Sequence, residues 1–243
     1  MNMEGERSEE NTAKTLWTFA VFKNRLLDSD PPNNNELPNI VHLSQVLYND
    51  LSTLVCNTKK TGNEWALTLE KVWRKGTANP TLFRHGPKEG SKTLANPPTT
   101  TEAILAKYGL EPNYQLVGGA HSHPNNGPIW IGDLVGMISD KMYRTEIVAI
   151  SQGTFAAVRS RETPYIPVTP YTTESEITKE ITKIARETKD RRVNQAMLMQ
   201  LKNKSSEWFR KWEGTLMEVS NACQSCSIGL YFGFPNDHLH RIV

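Results

Sequence analysis

Between Tyr114 and Pro124 the chain reads YQLVGGAHSHP, an apolar run that meets two histidines and then a proline. No other segment constrains the fold as tightly. The run predicts a strand, and Pro124 cannot continue it as an interior ladder member, because proline has no N–H to give. The histidines therefore sit at the strand's end, beside a loop. On a strand, residues two apart face the same side, so His121 and His123 aim their imidazoles into one space. The loop NNGPIW then delivers Asp133 to the first turn of a predicted helix, IGDLVGMISDKMY. Two nitrogens and one carboxylate oxygen make a three-ligand set of the kind that leaves zinc a fourth position for water. A bare H-x-H is a weak signal. The strand, the proline and the helix-borne aspartate together make one bound Zn2+ ion the expectation.

Around this centre the hydrophobic period alternates between helix and strand. NTAKTLWTFAVFKNRLL has a helix-like apolar face of Leu16, Phe19, Val21, Phe22 and Leu26, and DSDPPNNNELPN breaks it. In NIVHLSQVLYNDLSTLV, Ile40, Leu43, Val46, Leu47, Leu51 and Leu54 recur at helical spacing and predict one buried stripe. EWALTLEKVW reads as a strand with TLFRHG as its neighbour, and TEAILAKYGL as a short helix capped by Thr101. TEIVAIS and TFAAVRS read as a hairpin around QG. After a proline-punctuated connection, residues 174 to about 212 read as one long charged amphipathic helix. Ile177, Ile181 and Ile184 lead its apolar face, and Leu198 and Leu201 follow. The end, SIGLYFGFPNDHLHRIV, supplies a last strand. The pattern predicts an α/β layered domain, a central mixed β-sheet flanked by helices, over residues 36–160. A helical extension precedes it at 1–35, and a linker, long helix and terminal strand follow at 161–243.

Composition narrows the classes of partner. A net charge of +2 over 243 residues is no electrostatic footprint for nucleic acid. The basic run from Lys183 to Arg192 is interrupted by acids and reads as a solvated helix face. No apolar run is long enough to span a membrane, and the polar start MNMEGERSEENTAK does not resemble a signal peptide. Three cysteines make no disulfide framework in a chain of this length. A cytoplasmic, reducing setting is expected, and export without a cleaved signal would leave the same sequence.

A zinc-held water needs a base, and Glu64, at the start of EWALTLEK, is placed to lean over the neighbouring strand's end. Glu70 shares its face but lies about 20 Å further along at strand rise, so only one of them can reach the metal. An upstream glutamate on a strand, H-x-H-P at a second strand's end, and an aspartate on the next helix resemble the JAMM/MPN-domain zinc metallopeptidases. The leading helix LPNIVHLSQVLYNDLSTLV, the strand GNEWALTLEK and the hairpin EIVAISQGTFAAVRS are similar to that family's elements, over about residues 36–160. The resemblance implies a deaminase-like sandwich fold, His121, His123 and Asp133 as zinc ligands, and Glu64 as general acid/base. It also implies hydrolysis of peptide or isopeptide bonds, often beside ubiquitin-like proteins, so the expected partner is a protein or peptide substrate.

Two departures stand out. The stretch between His123 and Asp133 is one residue shorter than the family's usual spacing, and Trp130 replaces the serine whose hydroxyl helps hold the oxyanion. A backbone N–H of the shifted loop, Asn125 or Asn126 is left to fill that role. Trp130 is also the tryptophan expected to touch substrate. The competing reading is a weak or inactive relative used as a binding scaffold, for which Trp130 is the best argument. An amidohydrolase barrel is excluded by the lack of later ligands and of eight β–α units.

The remaining signals are lesser. Cys223 and Cys226 form a lone C-x-x-C that reads as ordinary buried thiols, and Cys56 as core. His42 is placed on a helix and His85 in the turn RHGPKEG. The long C-terminal helix suits packing on the domain or against a partner helix.

Overall fold

Nine strands form one mixed sheet in a computed structural model that describes residues 16–169, 172–187 and 193–243. They are β1 (Leu16–Trp17), β2 (Ile40–Val41), β3 (Trp65–Arg74), β4 (Pro80–Glu89), β5 (Leu110–Ser122), β6 (Thr145–Ile150), β7 (Gly153–Arg159), β8 (Ile228–Gly233) and β9 (Leu239–Arg241). Their order is β1-β2-β9-β8-β7-β6-β5-β3-β4. Only β1/β2 and β5/β6 pair in parallel. Among the described residues seven α-helices cover the sheet: α1 (Phe19–Leu27), α2 (Gln45–Thr61), α3 (Glu102–Lys107), α4 (Val135–Ser139), α5 (Glu174–Glu187), α6 (Gln195–Lys204) and α7 (Ser206–Ser225). The fold is therefore α/β with a mixed sheet between helical layers.

Strand alternation sorts the core into two halves. Ile147 and Ala149 of β6 join a cluster with α1 and α2, built on Phe22, Leu26, Leu47, Leu51 and Leu54. Val148 and Ile150 face the opposite cluster, where α4, α5, α6 and α7 pack through Met137, Ile181, Leu201 and Leu216. None of the helices is long and apolar enough to cross a membrane, among the described residues.

Three expectations from the sequence change at element ends. The helical pattern beginning near Ile40 does not start there, because Ile40 and Val41 pair with His240 and Leu239 of β9. The helix begins after Ser44, whose hydroxyl caps the Leu47 N–H at 3.3 Å, and it ends at Gly62 in the left-handed region. Val46 consequently faces solvent rather than the stripe. Leu16 likewise lies on β1 with its side chain exposed, and Phe22 and Leu26 carry the burial of α1. The helix expected from Glu174 to Trp212 is broken. α6 starts at the Asn194 cap and ends at Ser205, whose φ of -145° and ψ of 55° cannot continue a helix. Ile177, Ile181, Leu198 and Leu201 are all buried in the core cluster that they share with α4 and α7, so the domain itself covers the stripe that could have met a partner helix. The polar tail at 1–15 and the basic run's end at 188–192 lie outside the described residues.

The sheet also sets the neighbourhood of the histidines. β3 and β5 run antiparallel with Ala66 opposite His121, which brings the start of β3, and with it Glu64, beside the end of β5. Ser122, between the two histidines, points to the other face. Its hydroxyl contacts Thr58 Oγ1 of α2, accepts the Trp65 N–H at 3.2 Å and donates to the Trp65 carbonyl at 3.3 Å. Leu69→Ala, deep in β3, is expected to cost about 2–5 kcal/mol in urea denaturation. Val46→Ala, despite its place in the helical pattern, should change stability by about 0.5 kcal/mol or less.

Candidate metal centre

His121, His123 and Asp133 each offer one ligand atom, and those atoms lie within 4.8 Å of one another. His121 Nε2 stands 2.9 Å from His123 Nε2 and 3.3 Å from Asp133 Oδ1, and His123 Nε2 is 3.7 Å from Asp133 Oδ2. Asp133 sits in a 3-10 turn, Ile131–Leu134, and is fixed from Trp130. The Trp130 backbone N–H donates to Oδ2 at 2.9 Å and its indole N–H to Oδ1 at 2.8 Å.

The far nitrogens of both rings are occupied by acceptors. His121 Nδ1 donates to Glu146 Oε1 at 2.8 Å, and His123 Nδ1 to the Gly127 carbonyl at 3.1 Å. Each ring can then turn its Nε2 lone pair inward, toward the other ring and Asp133. Converging lone pairs and a carboxylate call for a positive charge between them, so the donor set fits a metal ion. Glu146 is in turn bonded through Oε2 by the Tyr143 hydroxyl. Gly119 makes room for this arrangement: a Cβ there would come within 2.5 Å of the Tyr143 oxygen.

The electrostatics reflect the carboxylates gathered around the two rings. Burial disfavours charge on His121, yet Asp133 and Glu146 together hold its pKa well above the ordinary histidine value. Burial pushes Asp133 upward, and the two imidazoles overcome it and keep the carboxyl strongly acidic. Glu64, only 7% exposed, is raised by burial and by the Asp133 charge, against the opposing pull of His121 and His123.

Glu64 shares a cavity of about 270 Å³ with His123, Asn125, Trp130 and Trp212. Trp130 is half exposed at this cavity, and its ring lies 6.0 Å from that of His123. The two asparagines of the loop differ. Asn126, at φ 59°, is spent on the β6–β7 turn: its amide contacts Gln152, its oxygen accepts the Ser151 N–H at 2.8 Å, and its carbonyl accepts the Trp208 indole at 2.6 Å. Asn125 accepts the Gly127 N–H through its oxygen at 2.9 Å, and the residue lines the cavity. A second cavity of about 260 Å³ adjoins His121 and Asp133 from the other side.

Other residues singled out in the sequence lie elsewhere. Glu70 is buried and accepts from Thr68 and Thr100 at 2.7 and 2.6 Å. His85 lies on β4 rather than in a turn, bonded to Thr100, and His42 precedes α2 and stacks on His238 at 3.4 Å. Cys223 and Cys226 are buried, and burial raises both thiols, that of Cys226 to about 11. Cys56 is exposed, not core, because it falls on the outward side of α2. Glu146 and Tyr143 were missed. The signal for Glu146 was an acid inside the otherwise apolar TEIVAI, opposite Gly119 in register. No known family model matches the sequence, and no curated protein matches it either.

Glu146→Gln should weaken binding of a divalent metal by about 10–100-fold, since it removes the carboxylate that orients and polarises His121. Competition with a chelating dye reads this directly, and unchanged affinity would show that His121 holds its place without Glu146.

Proposed function

We propose that this chain is a zinc-dependent amide hydrolase of the JAMM/MPN type, acting on a peptide or isopeptide bond in a protein or peptide substrate. The likeness extends to substrates joined to ubiquitin-like proteins. The observation that carries the reading is the convergence of two Nδ1-anchored imidazoles and one carboxylate beside a buried glutamate. His121, His123 and Asp133 would hold the zinc ion, which would supply Lewis acidity toward a carbonyl and toward water. Glu64 moves the proton: its carboxylate takes one from the attacking water and returns it to the leaving nitrogen. Its raised pKa suits a group that must hold that proton between the two steps. Trp130 and Trp212 wall the cavity that Glu64 shares, the space for substrate in this reading.

Trp130 cannot replace the serine of the family pattern as an oxyanion donor, because both its N–H groups are given to Asp133. Asn125 is the better candidate, because it lines the cavity and only its side-chain oxygen is engaged among the described residues. The same commitment of Trp130 favours the second reading, a metal-holding binding module with little turnover.

Protein loaded with zinc is expected to cleave members of a panel of peptides and isopeptides, and chelation should abolish cleavage. Glu64→Gln should retain one zinc per chain by elemental analysis and lose about 10²-fold or more in turnover. Full activity in that variant would move the proton role elsewhere, and zinc without any cleavage would establish the binding module. Asn125→Ala should lower kcat by about 10²–10³ with KM little altered, as loss of one oxyanion donor does. A change confined to KM would make Asn125 a substrate contact only.

A further inference from the structure

The two cavities beside the candidate metal group differ in chemistry. The one next to His121 and Asp133 is walled by Leu67, Ala95, Pro97 and Val135, with Gly132 and Gly136 leaving it open. Three carboxylates belong to its border, and two of them are already engaged. Asp133 takes both N–H groups of Trp130, and Glu146 takes His121 and Tyr143.

Glu174, at the start of α5, is the third. Its carboxylate has no hydrogen bond or ion pair among the described residues. Helix capping does not employ it either. Thr173 and Glu176 cap α5 reciprocally, Thr173 N–H donating to Glu176 Oε2 at 2.7 Å and Glu176 N–H to Thr173 Oγ1 at 3.2 Å. Glu174 Oε1 instead stands 3.6 Å from where a Cβ on Gly132 would be, one residue from Asp133. No lysine or arginine lines this cavity among the described residues.

We propose that this cavity is a specificity pocket for a basic side chain, lysine or arginine, adjoining the bond to be cleaved, and that Glu174 selects it. The inference rests on the hydrolase reading above for what lies next to the pocket. Aliphatic walls suit the methylene stem of such a side chain, and one unengaged carboxylate at the border suits its cationic head. A glutamate or aspartate in the same place would meet the unengaged Glu174 carboxylate and be disfavoured.

The test is binding of short Gly/Ala peptides carrying one Lys, Arg, norleucine or Glu at each position in turn. Zinc-loaded Glu64→Gln protein is used so that bound peptides are not consumed. Lys and Arg peptides should bind about tenfold more tightly than the norleucine peptide at one position. Adding Glu174→Gln should erase that difference without weakening the norleucine peptide, and Glu174→Lys should turn the preference toward Glu. Equal binding of lysine and norleucine peptides, a preference that survives Glu174→Gln, or no binding of any peptide would overturn the proposal. If the zinc-loaded wild-type protein cuts neither these peptides nor any member of the peptide and isopeptide panel while the Glu174-dependent preference holds, the hydrolase reading falls and the pocket stands as a binding site.

Discussion

The parallel pairing of β5 with β6 is the constraint on which the rest depends. Parallel neighbours cannot be joined by a tight turn, so the chain must leave the end of β5, cross over the sheet and return to start β6 alongside. That crossing carries Pro124, the asparagines, Trp130, Asp133, α4 and Tyr143, which is why one connection supplies most of the site. The same pairing sets Glu146 opposite Gly119, on the face that His121 occupies two residues later. A ligand, its carboxylate support and the space for both thus follow from a single register.

Charge balance explains why the parts belong together. Asp133, Glu146 and Glu64 are all largely removed from water around two imidazoles. Burying that many acids is costly unless a cation or protons compensate them. The neighbouring carboxylates raise the pKa of His121, and burial with the Asp133 charge raises that of Glu64.

What could be read from the sequence was local in origin. The parity of H-x-H, the stop imposed by Pro124 and the short reach to Asp133 are properties of adjacent residues, and they sufficed to expect His121, His123 and Asp133 in one place, where the structure has them. Glu64 was legible only through antiparallel neighbourhood, which the strand pattern implied. Glu146 was not, because nothing within TEIVAI tells which strand lies beside it or which of its residues faces Gly119. Ile40 and Val41 misled for a related reason: their partner, β9, lies some two hundred residues away, and tertiary pairing overrides a helical period. The break at Ser205 was hidden too, since apolar spacing runs on through Leu198, Leu201 and Trp208 while the backbone does not.

The indole of Trp208 that grips the Asn126 carbonyl has a wider meaning. Trp208 belongs to α7, and α7 runs directly into β8, a strand held on both sides by β7 and β9. The loop following the histidines is thereby tied to one of the least accessible ladders of the molecule. Peeling that loop away would have to disturb the helix that leads into the sheet interior. A segment that a motif search would regard as surface is thus guarded against local opening by the final third of the chain.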